Sequence, residues 1–200
     1  MELKESKRWK TIYLIVCEDD EATLRAVEFF KSRYTVPPNR IFNLYHREIP
    51  NTCHIKSGQR LYQFDSNSKL IILGHGDEEC IFIGEQSFSG SEFARHLYAQ
   101  GLRFIGGKIA FKSCLAGKDR FMSDFRRELL YKGQYTEELS GYLNIAFLGH
   151  DQDGFPGGYL IGNEEFIRYY TSLGREYKSL PDQRKKVIKT DLTLRSLLML

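Results

Sequence analysis

Leu70-Ile71-Ile72-Leu73-Gly74-His75-Gly76-Asp77 is the stretch whose reading decides the fold. Four apolar residues give way abruptly to small and polar ones, as a buried parallel strand does where it leaves a sheet. A second stretch repeats the pattern: Ile109-Ala110-Phe111-Lys112-Ser113-Cys114-Leu115-Ala116-Gly117. In a parallel α/β sheet the two present a histidine and a cysteine at the carboxyl edge, where the sites of open α/β sheets sit. A thiol beside an imidazole is a nucleophile with a base.

Around these stretches the chain alternates strand and helix signals. Thr11-Ile12-Tyr13-Leu14-Ile15-Val16-Cys17 reads as a central strand. Glu18-Asp19-Asp20 supplies acidic helix-start residues for the segment from Ala22 to Phe30. Pro37-Pro38-Asn39 breaks the chain before a second strand near Arg40 to Tyr45. A hairpin is expected around Arg60 to Phe64, and another joins Cys80–Ile83 to Gln86–Phe88 through Gly84-Glu85. Ser89 stands three residues before Glu92, as in a capping box, and opens a helix that should end near Gly101. Phe121, Phe125 and Leu129 stripe a helix from Asp119 to Tyr131. Asn144 to Leu148 is expected as a fifth strand, followed by a Gly-rich loop and a helical segment over about 162–200. The expectation is one domain, residues 1–200, with a core over about 10–158. Its fold class is α/β: three layers, α/β/α, around a mostly parallel central sheet.

Composition narrows the function classes. A chain of 200 residues is long enough for a sizeable core. No stretch approaches the length of a membrane-spanning helix, so no membrane span is expected. The charged start Met-Glu-Leu-Lys-Glu-Ser-Lys-Arg lacks the apolar core of a signal peptide. A net charge of +3, without aromatics interleaved among Lys and Arg, gives no reason to expect nucleic acid. Cys17, Cys53, Cys80 and Cys114 have neither zinc-ribbon nor C-x-x-C spacing. Free thiols in a reducing, cytoplasmic compartment are the expectation, with no metal and no cofactor.

His75 and Cys114 end strands with one helix between them, so a right-handed crossover makes those strands parallel neighbours. Gly76 removes a side chain from the space beside the thiol. The N–H groups of Gly76 and Cys114 are placed to hydrogen-bond an oxyanion, a contribution of a few kcal/mol. A helix starting after Cys114 would aim its N-terminus near the sulfur and favour the thiolate. Taken singly, a cysteine at a strand end is usually an inert packing residue; the joint pattern is what singles out this pair.

Apolar strand-Gly74-His75-Gly76, a helix opening Ser91-Glu92-Phe93-Ala94, and apolar strand-Ser113-Cys114 together resemble the clan CD cysteine peptidases. That clan includes caspases, gingipains, clostripain and the self-cleaving protease domains of bacterial toxins. The match covers residues 66–130, with weaker topological agreement over 11–158. The resemblance implies a caspase-hemoglobinase-like fold, His75 and Cys114 as the catalytic dyad, and an oxyanion hole from Gly76 and Cys114. It further implies hydrolysis of a protein or peptide substrate through an acyl-thioester. The caspase string Gln-Ala-Cys-x-Gly is absent: Lys112-Ser113 precede Cys114 and Gly117 follows three places on. Caspase-type aspartate specificity is therefore not implied.

The same cysteine fits a competing pattern. Cys114-x5-Arg120 resembles the phosphate loop of tyrosine phosphatases, in which backbone N–H groups and an arginine cradle phosphate. Asp77 or Asp151 would then serve as general acid. Ser113 stands where that family has His and Phe121 where it has Ser or Thr, and the strand-Gly-His-Gly unit goes unused. A third class is an inactive interaction domain of the same fold.

In the clan this chain resembles, the S1 pocket draws on the loop after the first strand and the segment around the fifth, so the resemblance implies that Glu18, Asp19, Asp20, Asp151 and Asp153 bind substrate. Acidic side chains there would select Lys or Arg at P1 by charge. The bland account is that they are caps and turns. Arg184, Lys185 and Lys186 form the densest basic run and are the place for an anionic activator, although such a run is ordinarily a solvated face.

Overall fold

The computed structural model describes residues 9–45, 49–50, 52–54 and 62–143, together with the strand backbones 145–150, 156–162 and 186–189. The protein is a mixed α/β structure around a mostly parallel central sheet. β1 (Thr11–Val16) pairs in parallel with β2 (Ile41–Asn43) on one side and β5 (Ser68–Leu73) on the other. β3 (Cys53–His54) extends the sheet beyond β2. On the other flank β9 (Lys108–Phe111) joins β5, and β10 (Glu138–Gly141) joins β9, all in parallel. β13 (Lys186–Lys189) closes that edge antiparallel to β10. The order is β13-β10-β9-β5-β1-β2-β3.

Alternation along the strands builds a core on each face. Leu14 and Val16 of β1, with Ile71 and Leu73 of β5, face α1 (Glu21–Tyr34), which buries Ala26, Val27 and Phe30 against them. Ile15, Leu70, Ile72, Ile109 and Phe111 face the opposite way. There they meet Phe93 and Leu97 of α2 (Gly90–Ala99) and Phe121, Phe125 and Leu129 of α3 (Phe121–Tyr131). Phe111 makes edge-to-face contacts with Phe121 and Phe125 at 5.1 and 5.2 Å between ring centres. Helices thus cover both faces, as a parallel sheet requires.

Caps bound these helices as their sequences suggest. The Asp20 side chain accepts from the N–H groups of Ala22 and Thr23. The capping box of Ser89 and Glu92 is formed. The hairpin of β6 (Cys80–Ile83) and β7 (Gln86–Ser89) is as expected.

Three expectations need correction. β4 (Tyr62–Phe64) makes no hairpin; it pairs in parallel with β8 (Leu102–Phe104) in a small separate sheet. The fifth parallel strand is β10, not the apolar run after it. That run, β11 (Ile145–His150), instead forms an antiparallel ribbon with β12 (Pro156–Gly162). β10 wins its place through its register with β9, where Lys108 Nζ meets Glu138 Oε1 at 2.6 Å across the buried pair of strands. Finally, Lys186–Lys189 is strand where helix was expected, because it adds a hydrogen-bonded edge to β10. Residues 163–185 and 190–200 of the expected helical segment lie outside the described residues. Among the described residues no helix is long and apolar enough to cross a membrane.

Candidate functional site

The sheet order places the site. From β1 the chain moves through α1 outward to β2, whereas from β5 it moves through α2 the other way, to β9. The carboxyl ends of β1 and β5 therefore flank the point where strand order reverses, the crevice in which open α/β sheets bind ligands. Glu18, Asp19 and Asp20 leave β1 there, and His75 leaves β5.

His75 is held from the β1 side. Its backbone N–H donates to Glu18 Oε2 at 2.6 Å. Its Nε2 lies 3.3 Å from Asp20 Oδ1, and the imidazole is about half exposed. Asp20 is anchored in turn by the cap it forms on α1, so the helix N-terminus aims a carboxylate at the imidazole. Burial opposes ionisation of Asp20, but hydrogen bonds from Thr23 and the His75 imidazole outweigh it and hold the carboxyl below its ordinary value. Glu18 is pushed up, by burial first and then by repulsion from Asp20 and Asp19, against the opposing pull of His75.

Cys114 approaches from the β9 side. The β5–β9 register runs to Ile72 opposite Phe111, and the Lys112 N–H still donates to the Ile72 carbonyl. Gly76 and Ser113 then pack directly: a Cβ on Gly76 would stand 3.1 Å from Ser113 Cβ and 2.8 Å from the Cys80 carbonyl oxygen. Gly76 also bridges Ile81, where the Asp77 N–H donates to Cys80 and the Phe82 N–H to His75. In that pairing the Gly76 N–H is turned away from β6. Half-buried Cys114 opens a turn in which Leu115 has φ +55°, a conformation that costs a non-glycine residue roughly 1–2 kcal/mol.

That turn separates the cysteine from the helix expected from Asp119, so the helix does not start at the sulfur. α3 begins only at Phe121, because the turn is tied down elsewhere: Gly117 N–H donates to the Tyr142 carbonyl at 2.7 Å and Lys118 N–H to the Leu115 carbonyl. Gly117 and Gly141 make this docking possible, since a Cβ on Gly117 would stand 2.4 Å from the Gly141 oxygen. Lys112 Nζ donates to Tyr142 Oη at 2.7 Å and fixes the other side of the turn.

The structure thus brings together His75, Gly76, Glu18 and Asp20 at one strand boundary, with Ser113 and Cys114 at the next. Glu18 and Asp20, expected as substrate-binding residues, are used by His75. Asp77 is spent on its own turn, where Oδ1 accepts from the Glu79 and Cys80 N–H groups. Arg120 is exposed and caps α3 with its backbone. Asp151, Asp153, Arg184 and Lys185 lie outside the described residues; Lys186 begins β13. Two features escaped sequence reading. Ser113 is buried with no hydrogen-bond partner for its hydroxyl among the described residues. Glu78 and Lys118 pair at 2.7 Å, joining the turn after His75 to the turn after Cys114. Glu78 and Lys118 stand three and four places beyond His75 and Cys114, and Ser113 directly precedes the cysteine; that proximity to the motifs is the only signal the sequence offers. Compared with protein-family models and with curated proteins, the sequence matches none.

Proposed function

We propose that the protein is a cysteine peptidase of caspase-like fold, with Cys114 as nucleophile and His75 as acid–base. The observation that carries this reading is the packing of the Gly76 turn on Ser113, which sets the histidine and cysteine at the ends of adjoining parallel strands. With Nε2 held by Asp20, Nδ1 is the nitrogen left for proton transfer. His75 accepts the thiol proton as Sγ bonds to the scissile carbonyl carbon, and the oxyanion is stabilised by the Gly76 N–H. The proton passes to the leaving amine as the C–N bond breaks. Water, deprotonated by His75, then hydrolyses the thioester and restores the thiol. Asp20 and Glu18 act as positioning residues that orient the imidazole.

The substrate is a protein or peptide, and cleavage after a basic residue is the preference this edge supports. Glu18, Asp19, Asp20, Asp77, Glu78 and Glu79 collect on the loops after β1 and β5, whereas the stretch after β9 carries Lys112, bonded to Tyr142, and Lys118, paired with Glu78. Their field favours an approaching cation. Four free thiols suit a reducing compartment.

The phosphatase reading is disfavoured by the turn itself. Two of the N–H groups that would cradle phosphate, those of Gly117 and Lys118, are donated within the protein. The deciding experiment assays His75→Ala, Cys114→Ala and Arg120→Ala on a P1-varied peptide library and on a phosphotyrosine analogue. The peptidase reading expects His75→Ala and Cys114→Ala to abolish peptide turnover while Arg120→Ala retains it. Phosphatase turnover lost in Arg120→Ala would replace that reading. Failure of wild-type Cys114 to react with a peptidyl electrophile, while unfolded thiols react, would favour an inactive interaction domain.

A further inference from the structure

We propose that a cavity at the amino end of β1 binds a small organic dianion of the dicarboxylate class. The cavity has a volume of about 180 Å³. Trp9 and Lys10 ahead of β1, Tyr34 at the end of α1 and Arg40 ahead of β2 line it. It lies at the far end of β1 from Glu18, roughly 20 Å along the chain. The lining carries two cations, Lys10 and Arg40, and no carboxylate. Among the described residues neither cation has an acidic partner. The Arg40 guanidinium carbon stands 5.9 Å from the centre of the Tyr13 ring, a contact through its face that leaves its N–H edge for an oxygen ligand.

Tyr34 supplies a second, independent observation. The buried Lys69 ammonium donates to Tyr34 Oη at 3.2 Å. An ammonium only donates, so the phenol O–H is left to donate to something else. No acceptor for it stands among the described residues. The ammonium also polarises that O–H toward an anion. Phe30 stacks on the Tyr34 ring at 6.1 Å and fixes its orientation. The carboxyl end of α1 by itself disfavours an anion. Its carbonyls are blunted, because the Thr35 and Val36 N–H groups donate to those of Lys31 and Ser32.

Size and charge choose the ligand class. At about 30 Å³ per water the cavity holds roughly six waters, more than one tetrahedral oxyanion needs. That is room for a few carbons between two charged ends. Two unpartnered cations on separate segments match two carboxylates, and a guanidinium pairs with a carboxylate through two parallel N–H bonds.

Trp9 is the single tryptophan of the chain and is buried in the cavity wall, so its fluorescence reports this site. The test titrates succinate into the full chain, read by Trp9 fluorescence and by calorimetry. It compares wild type with Tyr34→Phe, Arg40→Gln, Lys10→Gln and Lys118→Gln. The expected result is saturable binding with a Kd on the order of 1 mM or tighter. Tyr34→Phe and Arg40→Gln should each weaken it roughly tenfold, and the exposed Lys10→Gln roughly threefold. Lys118→Gln removes an equal charge beyond the other end of the sheet and should leave binding unchanged. Neutral succinamide should not bind, and inorganic phosphate should bind roughly tenfold more weakly than succinate. No saturable binding by either readout, or unchanged binding in both Tyr34→Phe and Arg40→Gln, overturns the site. An equal loss in Lys118→Gln also overturns it, since the summed charge of the chain then suffices. Succinamide or phosphate binding as tightly as succinate overturns the dicarboxylate class.

Discussion

Gly76 and Ser113 meet with no room for a methyl group between them: a Cβ on Gly76 would stand 3.1 Å from Ser113 Cβ. This contact sets how closely the end of β5 approaches the end of β9. Gly76→Ala should therefore push the two apart. The backbone oxygen of Cys80, at 2.8 Å from the same point, cannot rotate aside as a side chain would. The expected cost is about 1–3 kcal/mol in denaturant unfolding. Reaction of Cys114 with a peptidyl electrophile should slow in parallel, and an unchanged rate would detach Gly76 from the site.

Glu18 and Asp20 should respond to pH with opposite sign. A carboxyl raised in the folded state supports folding while protonated, below about pH 4.3, and that support is lost as pH rises through the folded value. This is the case of Glu18, raised by burial and by its acidic neighbours. A carboxyl lowered in the folded state supports folding above about pH 3.9 and loses that support as pH falls through the folded value. This is the case of Asp20. Glu18→Gln retains an acceptor for the His75 N–H, so it should raise stability at about pH 7 and change little near pH 3. Asp20→Asn should lower stability at about pH 7 and converge with wild type in acid. Thermal unfolding across that range checks both.

Lys108 and Glu138 pair at 2.6 Å with side chains about nine-tenths buried. Removing one partner strands the other charge inside the sheet. Lys108→Met or Glu138→Leu alone should cost about 3–5 kcal/mol in chemical denaturation. The double variant should recover most of that loss, because no unpaired charge remains. Additive losses would show that the two side chains contribute independently and that no stranded charge is responsible.

Leu115 and Thr35 both hold left-handed backbone, at φ +55° and +52°. Thr35 closes α1 far from the site, whereas Leu115 follows the cysteine. Glycine at either position should stabilise by up to about 1 kcal/mol, the strain relieved less the entropy glycine adds to the unfolded chain. Only Leu115→Gly should also slow acylation at Cys114, by loosening the turn. Equal kinetic effects of the two would remove any link between that strain and the site.

The legible part of the fold was carried by local chemistry. Apolar runs marked β1, β5 and β9, Asp20 and Ser89 marked helix starts, and Gly84-Glu85 marked the hairpin turn. What escaped was decided by long-range pairing. Glu138-Leu139-Ser140-Gly141 carries one aliphatic residue and reads as no strand, yet its glutamate answers Lys108 across the sheet. The more apolar Ile145–His150 is drawn instead to β12, with which it aligns as an antiparallel ribbon. At the site, His75, Gly76 and Cys114 were visible because each ends or follows a strand. The role of Asp20 was not, because a residue that caps a helix looks the same whether or not an imidazole lies beside it.

Cys17 ends β1 with no exposed surface, and its burial, with Glu18 beside it, drives the thiol far above the ordinary range. Gly74 closes over it, with a built Cβ only 2.7 Å from that of Cys17. The sulfur can thus meet a reagent only when β1 and β5 come apart. The other three thiols are half-buried and reachable in the folded protein. A native-state thiol titration would therefore divide into a prompt phase and one slow event, and the slow event is a built-in stopwatch for opening of the central sheet.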